Sequence, residues 1–433
     1  MLIARCSLFA ALLAGGAAET AGQSCPEAGP TAFVNADVLT MTDSSVLRGR
    51  NVVIESGRIT SISTAPPRAG ICRIEARGRF LLPGLVDVHA HMAERELPLF
   101  LANGVTTVRE MNGSATHIEL RRRIAAGEVP GPRLVVASTL LVGSPLRYRH
   151  RLVRNPADAR AAAEEARAGG YDFLKVYDEL SREAYDALVA SGRALGIRLD
   201  GHIPEAAGLE RVLEAGQAIQ HMDKISRALP RTSPDSVRLA DARRLFAGRR
   251  AWVTPTLASL RILDRAGTAE YAARLERPEM AYVDSESVGW WRSLVRSGTR
   301  TATDSPVYRF QLALLRTLRE SGARFLIGTD AANPMMIAGF SLHEEMQTLV
   351  RDGGFTTFEA IRAATRNAAE FLGDTTAGRV TVGAPADLVL ADGNPLADVA
   401  ALERPVGVMV RGRWFDRAAL DRLLAASRVS TTR

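Results

Sequence analysis

Between Pro83 and about Gly378, eight short apolar runs alternate with stretches of helical spacing, and this alternation limits the folds open to the chain. The runs are Leu85–Val88, Val105–Arg109, Arg133–Ala137, Asp172–Tyr177, Ile197–His202, Ala218–His221, Ala251–Pro255 and Arg324–Thr329. Each has the length and composition of a buried strand. The Ala- and Arg-rich text between them, such as Pro156 to Ala168 and Arg182 to Leu195, reads as helix. Eight strands alternating with helices are the count of an α/β fold of the TIM-like (β/α)8 barrel type, whose functional groups come from the C-terminal ends of several strands. A chain of 433 residues, 46% hydrophobic and 24% charged, can bury the core of such a barrel beside a smaller domain. The text from Ile225 to Glu320 holds more helix than one barrel step uses, so Ala266 to Asp304 reads as an insertion, a candidate lid near the site.

Short β-like runs flank this region. Ala32–Val34, Asn51–Glu55 and Ser56–Ile62 precede it, with Glu55-Ser56-Gly57-Arg58 as a hairpin signal, and similar text returns at Ala386–Leu390 and Val406–Arg413. Neither block can bury a core alone. The economical reading is one small composite β-sandwich domain built from both chain termini, residues 30–82 and 379–433, with the barrel of residues 83–378 inserted between them. Residues 1–22 read as a signal peptide: Arg5 is the positive start, Cys6 to Ala18 the apolar stretch, and small residues around Ala17 to Gly22 the cleavage zone. That stretch is too short to span a bilayer, which points to export into a periplasm or outside the cell without stable membrane insertion. Removing it leaves Cys25 and Cys72, an even pair in an oxidising compartment and an expected disulfide. The net charge of +7 comes from dispersed arginines, with no basic run interleaved with aromatics, which argues against a nucleic-acid partner.

The chemistry sits at the strand ends. Side chains repeat every two residues along a strand, so His89 and His91 point the same way, with Cα atoms roughly 6.6–7 Å apart, close enough to share a metal ion. Lys175 and Tyr177 share a face of the fourth strand. A buried lysine has a lowered pKa, reacts as a neutral amine and with carbon dioxide forms a carbamate, an anion able to bridge two cations. His202 and His221 end the fifth and sixth runs, and Asp330 closes the eighth, where a charge after an apolar run needs a partner. The chain has seven histidines, and four of them stand at strand ends that a barrel brings together. His89, His91, Lys175, His202, His221 and Asp330 make six groups, a number suited to a two-metal site that activates water at neutral pH.

The order H-x-H, K-V-Y, G-H-I-P, Q-H-M and G-T-D-A, found here at His89, Lys175, His202, His221 and Asp330, resembles the metal-dependent amidohydrolase superfamily. Within it, the imidazolonepropionase-like and prolidase-like group is the most similar. The resemblance covers the whole chain after the signal, including Gly383 to Val389. It implies His89 and His91 on a first divalent metal, His202 and His221 on a second, a carbamylated Lys175 bridging them, and Asp330 ligating the first metal and moving the proton. Zinc is the expected metal. Two departures fall near the substrate pocket: Gly104 to Glu110 ends on glutamate where relatives often carry aspartate, and Val142-Gly143-Ser144-Pro145 replaces a Gly/His-rich loop.

On this reading a hydroxide between two cations attacks an amide carbonyl, Asp330 passes the proton to the leaving nitrogen, and Tyr177 donates to the oxyanion or to a substrate carboxylate. The expected substrate is a short peptide, an Xaa-Pro dipeptide or an N-acyl amino acid, with Arg147, Arg149 and Arg151 as candidate partners of its carboxylate. Lactone or phosphotriester hydrolysis on the same two metals is the alternative reaction, and a non-catalytic metal-binding envelope protein the alternative from another class. His343 reads as structural or supporting, and His117 and His150 receive no role. Whether the chain forms a homo-oligomer is left open.

Overall fold

The computed structural model describes residue 25 and residues 29–295 and 304–429; the expected signal peptide lies outside the described residues. Five strands open the chain: β1 (Thr31–Leu39), β2 (Val46–Glu55), β3 (Arg58–Ser63), β4 (Cys72–Glu75) and β5 (Phe80–Pro83). The β2–β3 hairpin turns at Ser56 and Gly57, with φ of 51° and 72°, the left-handed pair that a two-residue hairpin turn requires. Register shifts at Ala36 bend β1. One edge of β1 pairs antiparallel with β2, while the other pairs parallel with β4 over residues 31–34 and with β5 over residues 37–38. Cys25 is disulfide-bonded to Cys72 at the head of β4.

The next strands are parallel. β6 (Leu85–Ala90), β7 (Val105–Glu110) and β8 (Arg133–Val136) form a three-stranded sheet. A seven-stranded sheet follows, built from β9 (Leu140–Val142), β10 (His150–Leu152), β11 (Phe173–Val176), β12 (Arg198–Gly201), β13 (Ala218–Gln220), β14 (Trp252–Thr254) and β15 (Arg324–Phe325), in the order β10-β9-β11-β12-β13-β14-β15. The two sheets meet on both sides. Ala137 bridges Phe173 beyond β8, and the Val88 N–H donates to the Ile327 carbonyl at 3.0 Å beyond β15. The eighth run is thus strand-like over only two residues, but its extension to Asp330 keeps bonding to β6.

β16 (Leu388–Ala391), β17 (Gly407–Val410) and β18 (Arg413–Asp416) complete the first sheet, since β16 lies antiparallel to β5. The pairing is one continuous path of strands from both ends of the chain, with β4 branching from β1, where the sequence suggests two facing sheets. The bend in β1, which serves three partners, makes that path continuous.

Helices cover the parallel strands, and Arg182–Leu195 shows how the sequence specifies them. Ser181 Oγ accepts the Ala184 N–H at 3.2 Å, Ala184, Tyr185, Leu188 and Val189 face inward, and Gly196 at φ 65° stops the helix. After β14 comes the extra helical text. Tyr271 and Trp291 are buried against Met335, Met336 and Ile337, on the loop that follows Asp330. Arg95 pairs with Asp284 at 3.3 Å, and the Val429 N–H donates to the Ala281 carbonyl at 2.9 Å. The expected insertion, Ala266 to Asp304, therefore packs beside the eighth strand; residues 296–303 of it lie outside the described residues. Among the described residues no helix is long and apolar enough to cross a membrane.

Candidate metal centre

The sequence-predicted groups stand at one end of the parallel strands. His89 lies in β6 with His91 just after it, Lys175 lies in β11 with Tyr177 just after it, and His202 and His221 follow β12 and β13 directly. Asp330 faces them from the run after β15. Its Oδ1 is 3.3 Å from His89 Nε2 and 3.5 Å from His91 Nε2, and its Oδ2 is 3.7 Å from His221 Nδ1. The His89 and His221 rings are 4.5 Å apart, and those of His202 and His221 5.1 Å. Among the described residues, His89, His221 and Asp330 bring one ligand atom each within 4.8 Å of one another.

Two glycines permit this convergence. A Cβ at Gly328 would sit 2.5 Å from His89 Cβ, and one at Gly201 would sit 2.0 Å from the Val176 carbonyl oxygen. Both distances lie far inside van der Waals contact, so the strands could not approach as they do with any larger residue.

Electrostatics leaves the ring nitrogens free. Burial lowers His89 to about 4 and His202 to about 3, and pushes His221 well below its ordinary value, so all three imidazoles are neutral at pH 7. Burial opposes ionisation of Asp330, but His221 and His89 outweigh it and hold the carboxyl well below the usual range. Burial also lowers the Lys175 ammonium to about 8. His91 differs: against burial, the Asp330 and Glu110 carboxylates raise it to about 9, so a cation taking its nitrogen would displace a proton.

Three of these rings have a second partner. His89 Nδ1 is 2.7 Å from Gln220 Oε1, His202 Nδ1 3.2 Å from Asp178 Oδ1, and His221 Nδ1 2.9 Å from Thr256 Oγ1. His89 Nε2 and Lys175 Nζ are buried with no hydrogen-bond partner at all. A buried nitrogen without a partner is costly unless something absent from the chain takes its lone pair. Neutral imidazoles and a carboxylate are a donor set that divalent cations accept, and an amine lowered to about 8 can release its proton near neutral pH, so the residues fit a metal centre.

The Tyr177 ring lies tilted against His202, with centroids 4.2 Å apart, and burial raises its hydroxyl to about 12, so it keeps a proton to donate at neutral pH. The arginine loop is otherwise disposed than expected. Arg149 donates to the Asn112 carbonyl and to Thr139 Oγ1, and Arg151 pairs with Glu165 at 3.1 Å. Both guanidinium groups are thus spent on the scaffold, and of the three only Arg147, an exposed residue, is left for a carboxylate. The cation beside Tyr177 is instead Lys224, whose Nζ is 5.8 Å from the ring centroid and donates to Asp178 at 2.8 Å. His343 is buried elsewhere against the Asn103 carbonyl, at 3.0 Å, in keeping with a structural role. His117 contacts the Met92 carbonyl and His150 the Tyr148 carbonyl.

The sequence reading did not single out Gln220, Asp178, Thr256, Asp200 or Arg109. For Gln220 and Asp200, polar residues one and two positions before a strand-end histidine, that spacing was the available signal, whereas Asp178, Thr256 and Arg109 have no such neighbour in the sequence.

A strand-end cluster of histidines, a lysine and an aspartate on an α/β scaffold defines a class of hydrolases, and comparison with known proteins places the chain in it. The amidohydrolase family matches residues 80–415, and the chain belongs to that family. A bottromycin amidohydrolase is similar in structure, with a TM-score of 0.76 and 27% identity over 94% of this chain and 91% of that one. An Xaa-Pro dipeptidase with methionine bound in its active site shares the fold, with a TM-score of 0.68 and 20% identity over 89% of this chain and all of that one. N-acyl-D-aspartate deacylase of Alcaligenes xylosoxydans xylosoxydans is 30% identical over 159 residues, 34% of this chain and 30% of that relative. The match spans less than a third of that relative's length.

Proposed function

We propose that the eight parallel strands form a (β/α)8 barrel and that the chain is an exported, binuclear metal-dependent hydrolase of amide bonds. Its substrate would be a short peptide or an N-acyl amino acid carrying a free carboxylate. The observation that carries this reading is the buried convergence of His89, His202, His221 and Asp330 around Lys175, with His89 Nε2 and Lys175 Nζ left without partners. His91 completes the first ligand pair. The names of similar proteins support the bond type: a deacylase of an N-acyl amino acid and a dipeptidase both cleave amides. The Cys25–Cys72 bond supports export into an oxidising compartment.

When bound, divalent cations, zinc in our reading, would generate a hydroxide at neutral pH and polarise the scissile carbonyl. The fraction of Lys175 Nζ that burial leaves unprotonated near neutral pH would form an N–C bond with carbon dioxide and release a proton, giving a carbamate whose oxygens would serve as further anionic ligands. Asp330 Oδ takes the proton of the attacking water and returns it to the leaving nitrogen. Tyr177 donates its hydroxyl proton toward the developing oxyanion, and Lys224 beside it, paired with Asp178 through one N–H, keeps two further donors for the carboxylate of the leaving group.

The test is a panel of N-acyl amino acids, Xaa-Pro dipeptides, lactones and phosphotriesters assayed with metal-reconstituted protein, together with metal counting on Lys175→Ala. Amide turnover with two metals per chain, and loss of both in the variant, is the expected result. Two tightly bound metals and full turnover in Lys175→Ala would exclude the bridge. A lactone or phosphotriester turned over faster than every amide would change the reaction class, and metal uptake with no turnover of any panel member would favour a binding protein.

A further inference from the structure

A buried polar chain reaches the candidate metal centre from the far side of the barrel. Arg109, 1% exposed, donates to the Val88 carbonyl at 3.1 Å and to Asp200 Oδ2 at 2.5 Å. Its guanidinium lies 4.0 Å and 4.9 Å from the ring centroids of Phe173 and Phe371, which leaves it no other position. Asp200 Oδ1 accepts from Gln220 Nε2 at 2.7 Å, and Gln220 Oε1 meets His89 Nδ1 at 2.7 Å. Asp200, Gln220 and His89 are all at most 1% exposed.

The direction of these bonds is fixed by chemistry. An arginine offers only donors, so Asp200 accepts from it on Oδ2, and Oδ1 takes the second N–H, that of Gln220. The Gln220 amide must then turn its NH2 to Asp200 and its carbonyl to His89, however the two amide atoms are assigned. A carbonyl facing Nδ1 requires the proton there, which leaves the lone pair on Nε2, the atom that has no partner and looks toward Asp330. We propose that Arg109, Asp200 and Gln220 are positioning residues that hold His89 in the Nδ1–H tautomer, and so keep Nε2 permanently available as a ligand. The inference rests on the metal reading above. His202 is held in the same way, because the Asp178 carboxylate facing its Nδ1 can only accept, whereas the Thr256 hydroxyl beside His221 can donate as well as accept.

The test reverses the polarity of the chain. In Asp200→Asn, the new amide gives its oxygen to Arg109 and its NH2 to Gln220, which must then flip and offer its own NH2 to His89. The wrong tautomer follows, and metal affinity should fall by about 10- to 100-fold, the usual effect of losing a partner that orients a ligand. In Asp200→Asn combined with Gln220→Glu, a carboxylate again faces His89, and affinity should return toward that of the unchanged protein. Competition with a chelator measures affinity, and the visible spectrum of the cobalt-loaded protein reports ligand geometry independently of turnover. Unchanged affinity in Asp200→Asn, or a double variant no better than the single one, overturns the proposal. Histidine-15N spectra of the zinc-loaded, unsubstituted protein, assigned with His89→Gln, decide the case even if a variant fails to fold. A proton on His89 Nε2 overturns the relay, and one on Nδ1 supports it. Failure of the unsubstituted chain to take up any cation would instead remove the metal reading, and histidine-15N spectra of the metal-free protein would still read the tautomer.

Discussion

Replacing Glu345 with glutamine should change how the stability of this protein depends on pH. Glu345 is fully buried, and its two oxygens accept the N–H groups of Leu257 and Ala258 at 2.9 Å and 2.6 Å. These donors open the helix Leu257–Asp264, and Thr256 just before it touches His221. Burial pushes the carboxyl up to about 8; the two N–H groups pull it down, and Asp87 adds to the rise. Between the ordinary carboxylate range and pH 8, the folded protein therefore holds a proton that the unfolded chain has released. The sign follows: stability is greatest below that window and falls as pH rises through it, by about 1.4 kcal/mol per unit for this one group. Glutamine keeps the shape without the titration. At pH 5 the variant should be less stable by about 1–3 kcal/mol, because its NH2 cannot accept and leaves one of the two buried N–H groups without a partner. Near pH 8 it should be the more stable of the two. Groups at the metal centre titrate in both proteins and cancel in the difference. Urea-unfolding midpoints for both proteins from pH 5 to 8.5 provide the assay. A constant difference across that range would refute the reasoning, because Glu345 would then be an anion throughout, held by its two donors.

Two further outcomes are expected. Cys72→Ser opens a bond between residues 47 apart, and the chain-entropy account assigns about 4 kcal/mol to such a loop; unfolding should shift accordingly, whereas two reactive thiols in denatured, unreduced native protein would show that the bond never formed. Gly328→Ala forces a methyl group to within 2.5 Å of His89 Cβ and 2.7 Å of Thr254 Cγ2, so it should cost about 1–3 kcal/mol and weaken metal uptake; unchanged melting and uptake would mean that β6 and the Asp330 run can separate freely.

Much of the centre was legible because its residues break a local rule. Histidines, a lysine and an aspartate at the ends of apolar runs contradict their surroundings, and the convergence of parallel strands explains the contradiction. Arg109 and Asp200 break the same rule, yet they are 91 positions apart, and nothing in the sequence pairs the second strand with the fifth across the interior. The arginine loop misled for the reverse reason. Its charges are obvious in the text, but the partners that absorb them, a backbone carbonyl at Asn112 and a carboxylate at Glu165, become neighbours only when β9 and β10 pair. The hairpin at Ser56-Gly57 was readable because turn chemistry is local. The continuous path of the first sheet was not, since it depends on a bend in β1 shared by three partners.

The pairing of β5 with β16 also orders events in time. Pro83 ends β5, Leu85 begins β6, and His89 lies four residues further on, so the strand carrying His89 is tethered to an edge whose partner is Leu388–Ala391. That partner leaves the ribosome some 300 residues after β5 does. Until then the β5 edge lacks its neighbour and His89 its anchored strand, and a pairing this distant in sequence is slow to form. A chain built this way is poorly able to finish folding while it is still being made. On the export proposed above, that delay would keep the chain threadable until its last strands arrive, and the strand-end cluster would assemble only on the far side.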